Sequence, residues 1–231
     1  PWENAPPEHA AADHFVIATG TVPREPEDIS FDYSTILNSN FIFSHKSRLE
    51  LMPHSLIVYG AGVIGSEYAL MFGALGCRVW LVDNQPDLFP FVDHEIRTLL
   101  KRYMADCTIE VICNAPYKEI VNEAGQARLT LEDGRIFRAD ALLFTKGRLP
   151  CTAPLHLDRI GIEPAKGGFI AVSDTYQTRI PHIYAAGDVI GFPALASTSA
   201  EQGRMAASHM LGHEINRSRP ELFPIAIYTI P

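Results

Sequence analysis

The chain of 231 residues is long enough to bury a sizeable core, and its composition, 47% hydrophobic and 20% charged, is that of an ordinary globular protein. The formal net charge of −8 argues against nucleic acid or a membrane surface as a partner, because both require a basic face on the protein. No apolar run reaches the length of a membrane-spanning helix, and the first residues do not have the pattern of a signal peptide.

The four cysteines and nine histidines indicate no metal or redox site. No two cysteines form a CxxC pair, and the spacing of Cys107 and Cys113 matches no common metal-binding or redox motif. We therefore expect the cysteines to be buried thiols in a reducing compartment. A cytoplasmic protein without a metal site is predicted.

The first part of the chain is predicted to contain little regular structure. Residues 1–14 are polar and rich in proline, which indicates a loop. Residues 14–20 contain the apolar run FVIATG and predict a short buried strand that ends at a glycine. Residues 21–40 carry turn-forming residues throughout and predict an irregular connector.

A strand–helix–strand unit follows. Residues 55–59 form a continuous apolar run, typical of a strand in a parallel sheet that is covered on both faces. Residues 64–75 are predicted to be a helix with Gly76 as its C-terminal cap, and residues 78–82 are predicted to be the next strand. The whole has the length expected of a βαβ unit.

The next segment predicts a second helix and then a small antiparallel meander. Residues 93–105 have helical spacing, with one stripe made of Ile96, Leu99, Leu100 and Tyr103. Alternating patterns and the turn at Asp133–Gly134 predict the meander. The predicted strands of this segment are 108–113, 117–122, 127–132, 135–138 and 139–147.

The last third predicts loops, two strands and a helix. Residues 148–168 are predicted to be a loop, and strands are predicted over 168–174 and 182–191. A helix is predicted over 196–211, with small residues for close packing at Ala200, Gly203, Ala206 and Ala207. Residues 221–231 predict the start of an extended segment.

The motif GAGVIG, from Gly60 to Gly65, joins the first strand of the βαβ unit to its helix. Gly60 would permit the tight turn, Gly62 would leave room for a pyrophosphate, and Gly65 would let helix and strand pack closely. Val63 and Ile64, at the helix N-terminus, would offer backbone N–H groups to the phosphates. The alternative is a glycine turn that serves packing alone.

Asp83 follows the third glycine at close to the spacing of about 20 residues that a dinucleotide site requires. A carboxylate there suits a ribose 2′-hydroxyl and would repel a 2′-phosphate. Residues 84–87 contain no arginine, which an NADP site usually has near this point. The local chemistry therefore favours NAD(H) over NADP(H), unless Asp83 only begins a turn.

Several segments resemble one family. FVIATG, GVIGSEYA, TKGRLP and TYQTRIPHIYAAGDVIG occur in this order in the flavoprotein reductases with two dinucleotide-binding folds, which include lipoamide dehydrogenase and glutathione reductase. The resemblance implies an α/β fold: a Rossmann-like, three-layer NAD(P)-binding domain with a β-meander, inserted in an incomplete FAD-binding domain. The implied domains are residues 1–39 (FAD), 40–147 (NAD(P)), 148–222 (FAD continued) and 223–231 (the start of an interface domain).

The resemblance also implies roles for individual residues. Glu67 corresponds to an acid near the flavin and nicotinamide, and is the candidate catalytic residue. Asp188 corresponds to the aspartate that binds the ribityl chain of FAD, for which an acceptor-only carboxylate is suited. The remaining implied cofactor-binding positions lie at crossings near FAD: Ala18, Thr19, Gly20, Gly147, Arg148 and Gly187.

Within this family, YQTRIPHIYAAGDVIGFPALASTSAEQGR with IYTIP is most similar to the soluble, Si-specific pyridine nucleotide transhydrogenases. The resemblance implies FAD, NAD(H) and NADP(H) as cofactors, hydride transfer between NADPH and NAD through the flavin, and a homo-oligomeric parent protein. Two alternatives remain open: an NAD-linked flavoprotein like dihydrolipoamide dehydrogenase, which Asp83 suits better, and a non-catalytic NAD(H)-binding module.

Two family segments have no counterpart in this sequence. The family's first GxGxxG motif, which binds the ADP half of FAD, is absent, and so is the C-terminal interface domain. We therefore expect the chain to be a fragment, and we expect this fragment alone not to retain FAD, because its GxGxxG turn is committed to the nicotinamide nucleotide.

Overall fold

The computed structural model describes residues 9–42, 52–213 and 225–230. The chain divides into two compact units, which we call the flanking unit, Pro1–Val22 with Leu149–Pro224, and the central unit, Pro23–Arg148 with Ile225–Pro231. Residues 1–8 of the predicted N-terminal loop lie outside the described residues, as do residues 221–224 and 231 of the predicted extended tail.

The described residues form twelve strands and three α-helices. In chain order they are β1 (Phe15–Ile17), β2 (Thr21–Pro23), β3 (Ile36–Asn38), β4 (Ser55–Tyr59), α1 (Val63–Ala74), β5 (Arg78–Val82), α2 (His94–Asp106), β6 (Ile109–Ile112), β7 (Tyr117–Glu123), β8 (Gln126–Leu131), β9 (Ile136–Ala139), β10 (Ala141–Phe144), β11 (Arg148–Pro150), β12 (Ile183–Ala185) and α3 (Ala196–Met210).

The central unit is built on a five-stranded parallel sheet with the order β3-β10-β4-β5-β6. A separate three-stranded antiparallel sheet, β7-β8-β9, is the meander. The predicted α/β class, the βαβ unit and the meander are therefore confirmed.

Strand β4 shows why the sheet is covered on both faces. Leu56 and Val58 belong to one buried cluster, which also contains Leu70 of α1 and Met104 of α2. The neighbouring residues Ile57 and Tyr59 belong to the opposite cluster, which contains side chains of the meander. Successive side chains of a strand point to opposite faces, so a continuous apolar run fills both. The result is three layers: helices, sheet and meander.

A polar clamp joins the starts of β4 and β10. The Asp140 carboxylate accepts hydrogen bonds from the backbone N–H groups of His54 and Ser55, each at 2.9 Å. In return the Ser55 hydroxyl accepts from the backbone N–H of Asp140 at 3.0 Å. The clamp therefore fixes the two strands where they enter the sheet.

Strands β2 and β3 both lie within the segment that was predicted to be an irregular connector, so that prediction was wrong for residues 21–23 and 36–38. The turn before β3 is held by Asp32 Oδ1, which accepts backbone N–H groups of Ser34, Thr35 and Ile36 at 2.7–3.0 Å. Burial raises the pKa of Asp32, but the backbone N–H of Ile36, the Asn122 amide and other donors outweigh it and bring the pKa to about 2.

Two predicted features of the flanking unit were wrong. Residues 168–174 form no strand: Ile170 makes a single backbone bond to Val189 O, and Ser173 turns the chain back toward Gln177. Strand β1 is present, but Phe15 and Val16 are 42% and 48% exposed, because β1 pairs only with β12 in the described sheet. The strand predicted over 182–191 is confirmed only over Ile183–Ala185, because Gly187–Ile190 forms a 3-10 helix. Helix α3 confirms the predicted helix, although Ala200 and Ala207 are exposed.

Helix α2 and the cysteines also differ from the expectation of burial. On the predicted stripe, Ile96, Leu99 and Tyr103 are exposed, whereas Met104 is fully buried. Of the cysteines, Cys77 is buried and the other three are half-buried, so the prediction of buried thiols holds for one of them. Burial raises the pKa of the Cys77 thiol to about 11, with a smaller contribution from Asp140.

Candidate functional site

The turn between β4 and α1 is built so that two of its glycines cannot be replaced. Gly60 has a φ of +119°, and a Cβ on it would lie 2.7 Å from Thr145 Oγ1. A Cβ on Gly65 would lie 1.8 Å from the carbonyl oxygen of Gly60. Both positions therefore require glycine, one for backbone conformation and both for close packing.

The middle glycine faces open space. A Cβ added to Gly62 meets no atom within 4 Å, and its φ of −76° is one that any residue adopts. Gly62 is also the N-cap of α1, and among the described residues no side chain caps this helix start. The first N–H groups of α1 therefore point toward the same open space that a phosphate would need.

A cavity of about 260 Å³ lies in front of this turn. It brings together Gly60, Gly62, Asp83 and Gly147, four of the residues predicted from the sequence. These positions follow β4, β5 and β10, and in a parallel sheet the carboxyl ends of the strands lie at one edge, where ligands bind. The other lining residues were not predicted: Ala61, Gln85, Asp87, Phe89, Pro90, Phe91, Thr145 and Lys146.

Asp83 is buried, with 4% of its surface exposed. Its Oδ2 accepts the backbone N–H of Ala61 at 2.6 Å, and its Oδ1 accepts the backbone N–H of Gln85 at 2.8 Å. Oδ1 also forms an ion pair with the ammonium group of Lys146. The sequence position of Asp83 predicted a ribose contact but did not indicate these three bonds within the protein.

Thr145 and Lys146 were missed as site residues, although they stand in the quoted segment TKGRLP. The Thr145 hydroxyl donates to Gly60 O at 2.8 Å and so supports the glycine turn from β10. Lys146 pairs with Asp83 from the end of the same strand. A cation next to a glycine at the end of a predicted strand was the available signal.

A second acid on the cavity wall is also paired. Asp87 forms ion pairs with Arg97 at 2.7 Å and with Lys101, both on α2. The hydrogen bond from Lys101, with the charge of Arg97, holds the pKa of Asp87 below its usual range. Both carboxylates that line the described cavity therefore have a cationic partner.

The predicted residues Val63, Ile64, Gly65, Glu67 and Arg148 do not line this cavity. The first three lie at the start of α1. Glu67 is half-buried on α1, and its carboxylate accepts the backbone N–H of Tyr228 at 2.9 Å. Arg148 begins β11 and lies 3.5 Å from the Asn40 side-chain oxygen.

The predicted FAD contacts of the flanking unit come together at one end of the pair β1–β12. These strands are parallel, with Ile17 opposite Ala185, so residues 18–20 and 187–188 follow the carboxyl ends of both. The Thr21 hydroxyl lies 3.1 Å from Asp188 Oδ2, and the Thr19 hydroxyl donates to Cys151 O at 2.8 Å. Gly20 and Gly187 have positive φ values of +68° and +82°.

Comparison with known families decides the classification. The family described as "Pyridine nucleotide-disulphide oxidoreductase" matches residues 4–203, which is most of the chain. The chain belongs to the pyridine nucleotide-disulphide oxidoreductase family. Membership in this family of flavoprotein oxidoreductases implies FAD and a nicotinamide nucleotide as its cofactors.

The pyridine nucleotide-disulphide oxidoreductases that this chain resembles include proteins named soluble pyridine nucleotide transhydrogenase. The one from Hahella chejuensis is 43% identical over 216 residues, which cover 94% of this chain and 46% of the relative. The one from Mycobacterium tuberculosis (strain ATCC 25177 / H37Ra) is 42% identical over 220 residues, or 95% and 46% of the two chains. The chain therefore spans about half the length of the curated relatives it matches.

Solved structures of the same architecture confirm the fold. LpdA from Mycobacterium tuberculosis aligns with a TM-score of 0.87 and 31% identity, covering 94% of this chain and 47% of that one. The HOCl-induced flavoprotein disulfide reductase RclA from Escherichia coli, in its Cu(II) complex, aligns with a TM-score of 0.81 and 27% identity, covering 90% and 46%. Among the described residues of this chain, no helix is long and apolar enough to cross a membrane.

Proposed function

We propose that this chain carries the nicotinamide-nucleotide site, and part of the FAD site, of a transhydrogenase that moves hydride between NADPH and NAD. FAD supplies the redox chemistry when it is bound, and the protein supplies binding and orientation. The observation that carries the proposal is the glycine turn of α1, which faces a cavity at the carboxyl ends of three parallel strands.

The residues of this cavity suit a dinucleotide in their chemistry. The open space before Gly62 would take the pyrophosphate, within reach of the N–H groups of Val63 and Ile64. Asp83 and Lys146 would meet the adenosine ribose at the end of β5. Gly147 follows Lys146 and lines the same cavity.

In the flanking unit the proposed FAD contacts are Asp188, Thr21 and the residues beside them. The carboxylate of Asp188 would accept hydrogen bonds from ribityl hydroxyls, and the Thr21 hydroxyl at 3.1 Å orients it. The turns at residues 18–20 and 187–188 would let backbone approach the flavin closely. For Glu67 and Arg148 the proposal follows the family resemblance. Glu67 would lie beside the nicotinamide, and Arg148 would lie where the chain crosses near FAD.

The proposal is tested by titrating the 231-residue chain with NADH and with NADPH in a calorimeter, and by assaying NADPH-dependent reduction of an NAD analogue in the presence of FAD. Saturable binding of both nucleotides, together with FAD-dependent transfer, is the expected result for a transhydrogenase. Binding of neither nucleotide by a folded chain contradicts the proposal.

A second candidate function is nucleotide binding without turnover. The central unit has a complete five-stranded sheet with a buried cluster on each face, whereas the described sheet of the flanking unit has two strands and exposes Phe15 and Val16. Binding of NADH without FAD-dependent transfer in the assay above would favour this function.

We also propose that the protein acts in the cytoplasm as a homo-oligomer. The four free cysteines are typical of a reducing compartment and support the first statement. The exposed apolar side chains of the flanking unit, such as Phe15 and Phe192, support the second. Light scattering on the eluate of a gel-filtration column measures the oligomeric state.

A further inference from the structure

The ion pair between Lys146 and Asp83 changes the electrostatics of the cavity. A buried carboxylate on its own would repel a 2′-phosphate, and the repulsion would be strong because little solvent screens it. Here the ammonium group of Lys146 is bonded directly to Asp83 Oδ1, while two backbone N–H groups bond to the same carboxylate. The charge of Asp83 is therefore compensated where the adenosine ribose would lie.

The two partners of this ion pair differ in exposure. The side chain of Lys146 is 29% exposed, and that of Asp83 is 5% exposed. Lys146 is therefore the more accessible partner to a ligand in the cavity. An ammonium group has three N–H donors, and the contact with Asp83 Oδ1 uses one of them.

The sheet topology explains how two residues so distant in sequence meet. Asp83 follows β5 and Lys146 follows β10, and these strands lie on either side of β4. The glycine turn leaves from β4 between them. Lys146 thus reaches across the start of the turn to the position where the ribose contact was predicted.

Among the described residues that line the cavity, Lys146 is the one with a positive charge. The other nearby cations, Arg97 and Lys101 of α2, form ion pairs with Asp87 and do not line the cavity. No arginine follows β5 within residues 84–87. A 2′-phosphate in this cavity would therefore depend on Lys146.

We propose that Lys146 is the specificity-determining residue that allows this site to accept NADP(H) as well as NAD(H). Its ammonium group pairs with the 2′-phosphate of NADP(H). With NAD(H), the ribose 2′-hydroxyl meets the same ion pair and donates to the carboxylate or accepts from the ammonium group. This inference rests on the nicotinamide-nucleotide site proposed above.

The test is a comparison of three variants with the parent chain, using calorimetric titration with NADPH and with NADH. Lys146→Met removes the charge and keeps the length, Lys146→Arg keeps the charge, and Lys118→Met removes a charge from an exposed position on β7. Lys146→Met is expected to weaken NADPH binding about tenfold or more, the range of a lost charged hydrogen bond, and NADH binding less than threefold. Lys146→Arg and Lys118→Met are expected to stay within about threefold of the parent for both nucleotides.

Salt and a double variant separate a charge effect from a structural one. The parent is expected to bind NADPH more tightly than Lys146→Met does, and this difference in affinity is expected to shrink as ionic strength rises. In an Asp83→Asn background, the loss caused by Lys146→Met is expected to be smaller, because no carboxylate is left to repel the phosphate. Urea unfolding of each variant establishes that it is folded.

Equal loss of NADH and NADPH affinity in folded Lys146→Met would overturn the inference, since Lys146 would then only support the shape of the site. Unchanged NADPH affinity would overturn it as well. Failure of the nucleotide site itself is distinguished from both, because the parent chain would then bind neither nucleotide.

Discussion

The backbone N–H of Ala61 donates to Asp83 Oδ2 at 2.6 Å, which ties the centre of the glycine turn to the end of β5. The same carboxylate accepts the N–H of Gln85 at 2.8 Å and so also holds the loop that follows β5. The buried N–H of Ala61 needs an acceptor, and Asp83 supplies it, while the same carboxylate also bonds the loop at the exposed Gln85. Asp83 therefore stabilises the shape of the turn independently of any ribose contact.

Asp83→Ala is expected to lower the free energy of unfolding by about 2–4 kcal/mol, because it leaves the buried Ala61 N–H without its acceptor and Lys146 without its ion-pair partner. Both NADH and NADPH binding are expected to weaken with the turn. Urea unfolding measures the first effect and calorimetry the second. The matched control is Asp106→Ala, an exposed carboxylate at the end of α2; equal stability changes in the two variants would contradict the structural role of Asp83.

Gly62→Val is expected to weaken nucleotide binding severely and to leave the fold intact. The φ of Gly62 is −76° and a Cβ there meets no protein atom within 4 Å, so valine fits the free protein but occupies the space proposed for the pyrophosphate. Titration with NADH and the circular dichroism spectrum check the two halves of this prediction. Gly203→Val, at an open position in α3, is the control. Parent-like affinity in folded Gly62→Val would mean that the nucleotide does not cross this turn.

Gly65→Ala is expected to have the opposite pattern, a loss of stability rather than a selective loss of binding. The added methyl group would lie 1.8 Å from Gly60 O, a backbone atom that moves only with β4 or α1. Overpacking of this kind is expected to cost about 3 kcal/mol or more. A urea midpoint within error of the parent value would show that α1 can shift away from the sheet at little cost.

Stability is expected to fall in acid through Asp32. Its pKa of about 2 in the folded protein is below the value of about 3.9 in an unfolded chain, so its contribution is present above about pH 4 and is lost as the pH falls toward 2. Asp32→Asn is expected to cost about 1 kcal/mol at pH 7, after allowance for its partial exposure. The difference between variant and parent is expected to narrow between pH 4 and pH 3 in urea titrations. A difference that stays constant over this range would show that Asp32 does not carry the effect. Asp158→Asn, which changes an exposed carboxylate, is the control.

The unit from β4 to β5 could be predicted from the sequence because its signals are local. A continuous apolar run, three glycines and a second run lie next to one another, and the predicted bounds of both strands match the structure. Strand β3 was missed because its partner is distant: Leu37 pairs with Leu143 of β10. Three residues without alternation carry too weak a pattern on their own.

In the candidate site, too, local signals could be predicted and contacts between distant parts of the chain could not. Gly60, Gly62 and Asp83 belong to one local motif and could be found in the sequence. The ion pair of Lys146 with Asp83 could not, because it depends on which strands lie beside β4 in the folded sheet. The predicted strand over 168–174 failed for a related reason, since an apolar segment without a neighbouring strand remains extended without forming a ladder.

The hydrogen bonds of Asp140 with His54 and Ser55 form only when β4 and β10 are correctly aligned. A slip by one residue exchanges the two faces of a strand, and in most sheets this would bury polar side chains and be rejected. Strand β4 is apolar on both faces apart from the Tyr59 hydroxyl, so the exchange of Leu56 and Val58 with Ile57 would itself bury no polar group. The clamp at the strand entrance and the bonds of the Tyr59 hydroxyl with Ala115 O and the Tyr117 N–H would both be lost in the slipped alignment. Polar contacts at the two ends of β4 therefore fix the position of the glycine turn that follows it.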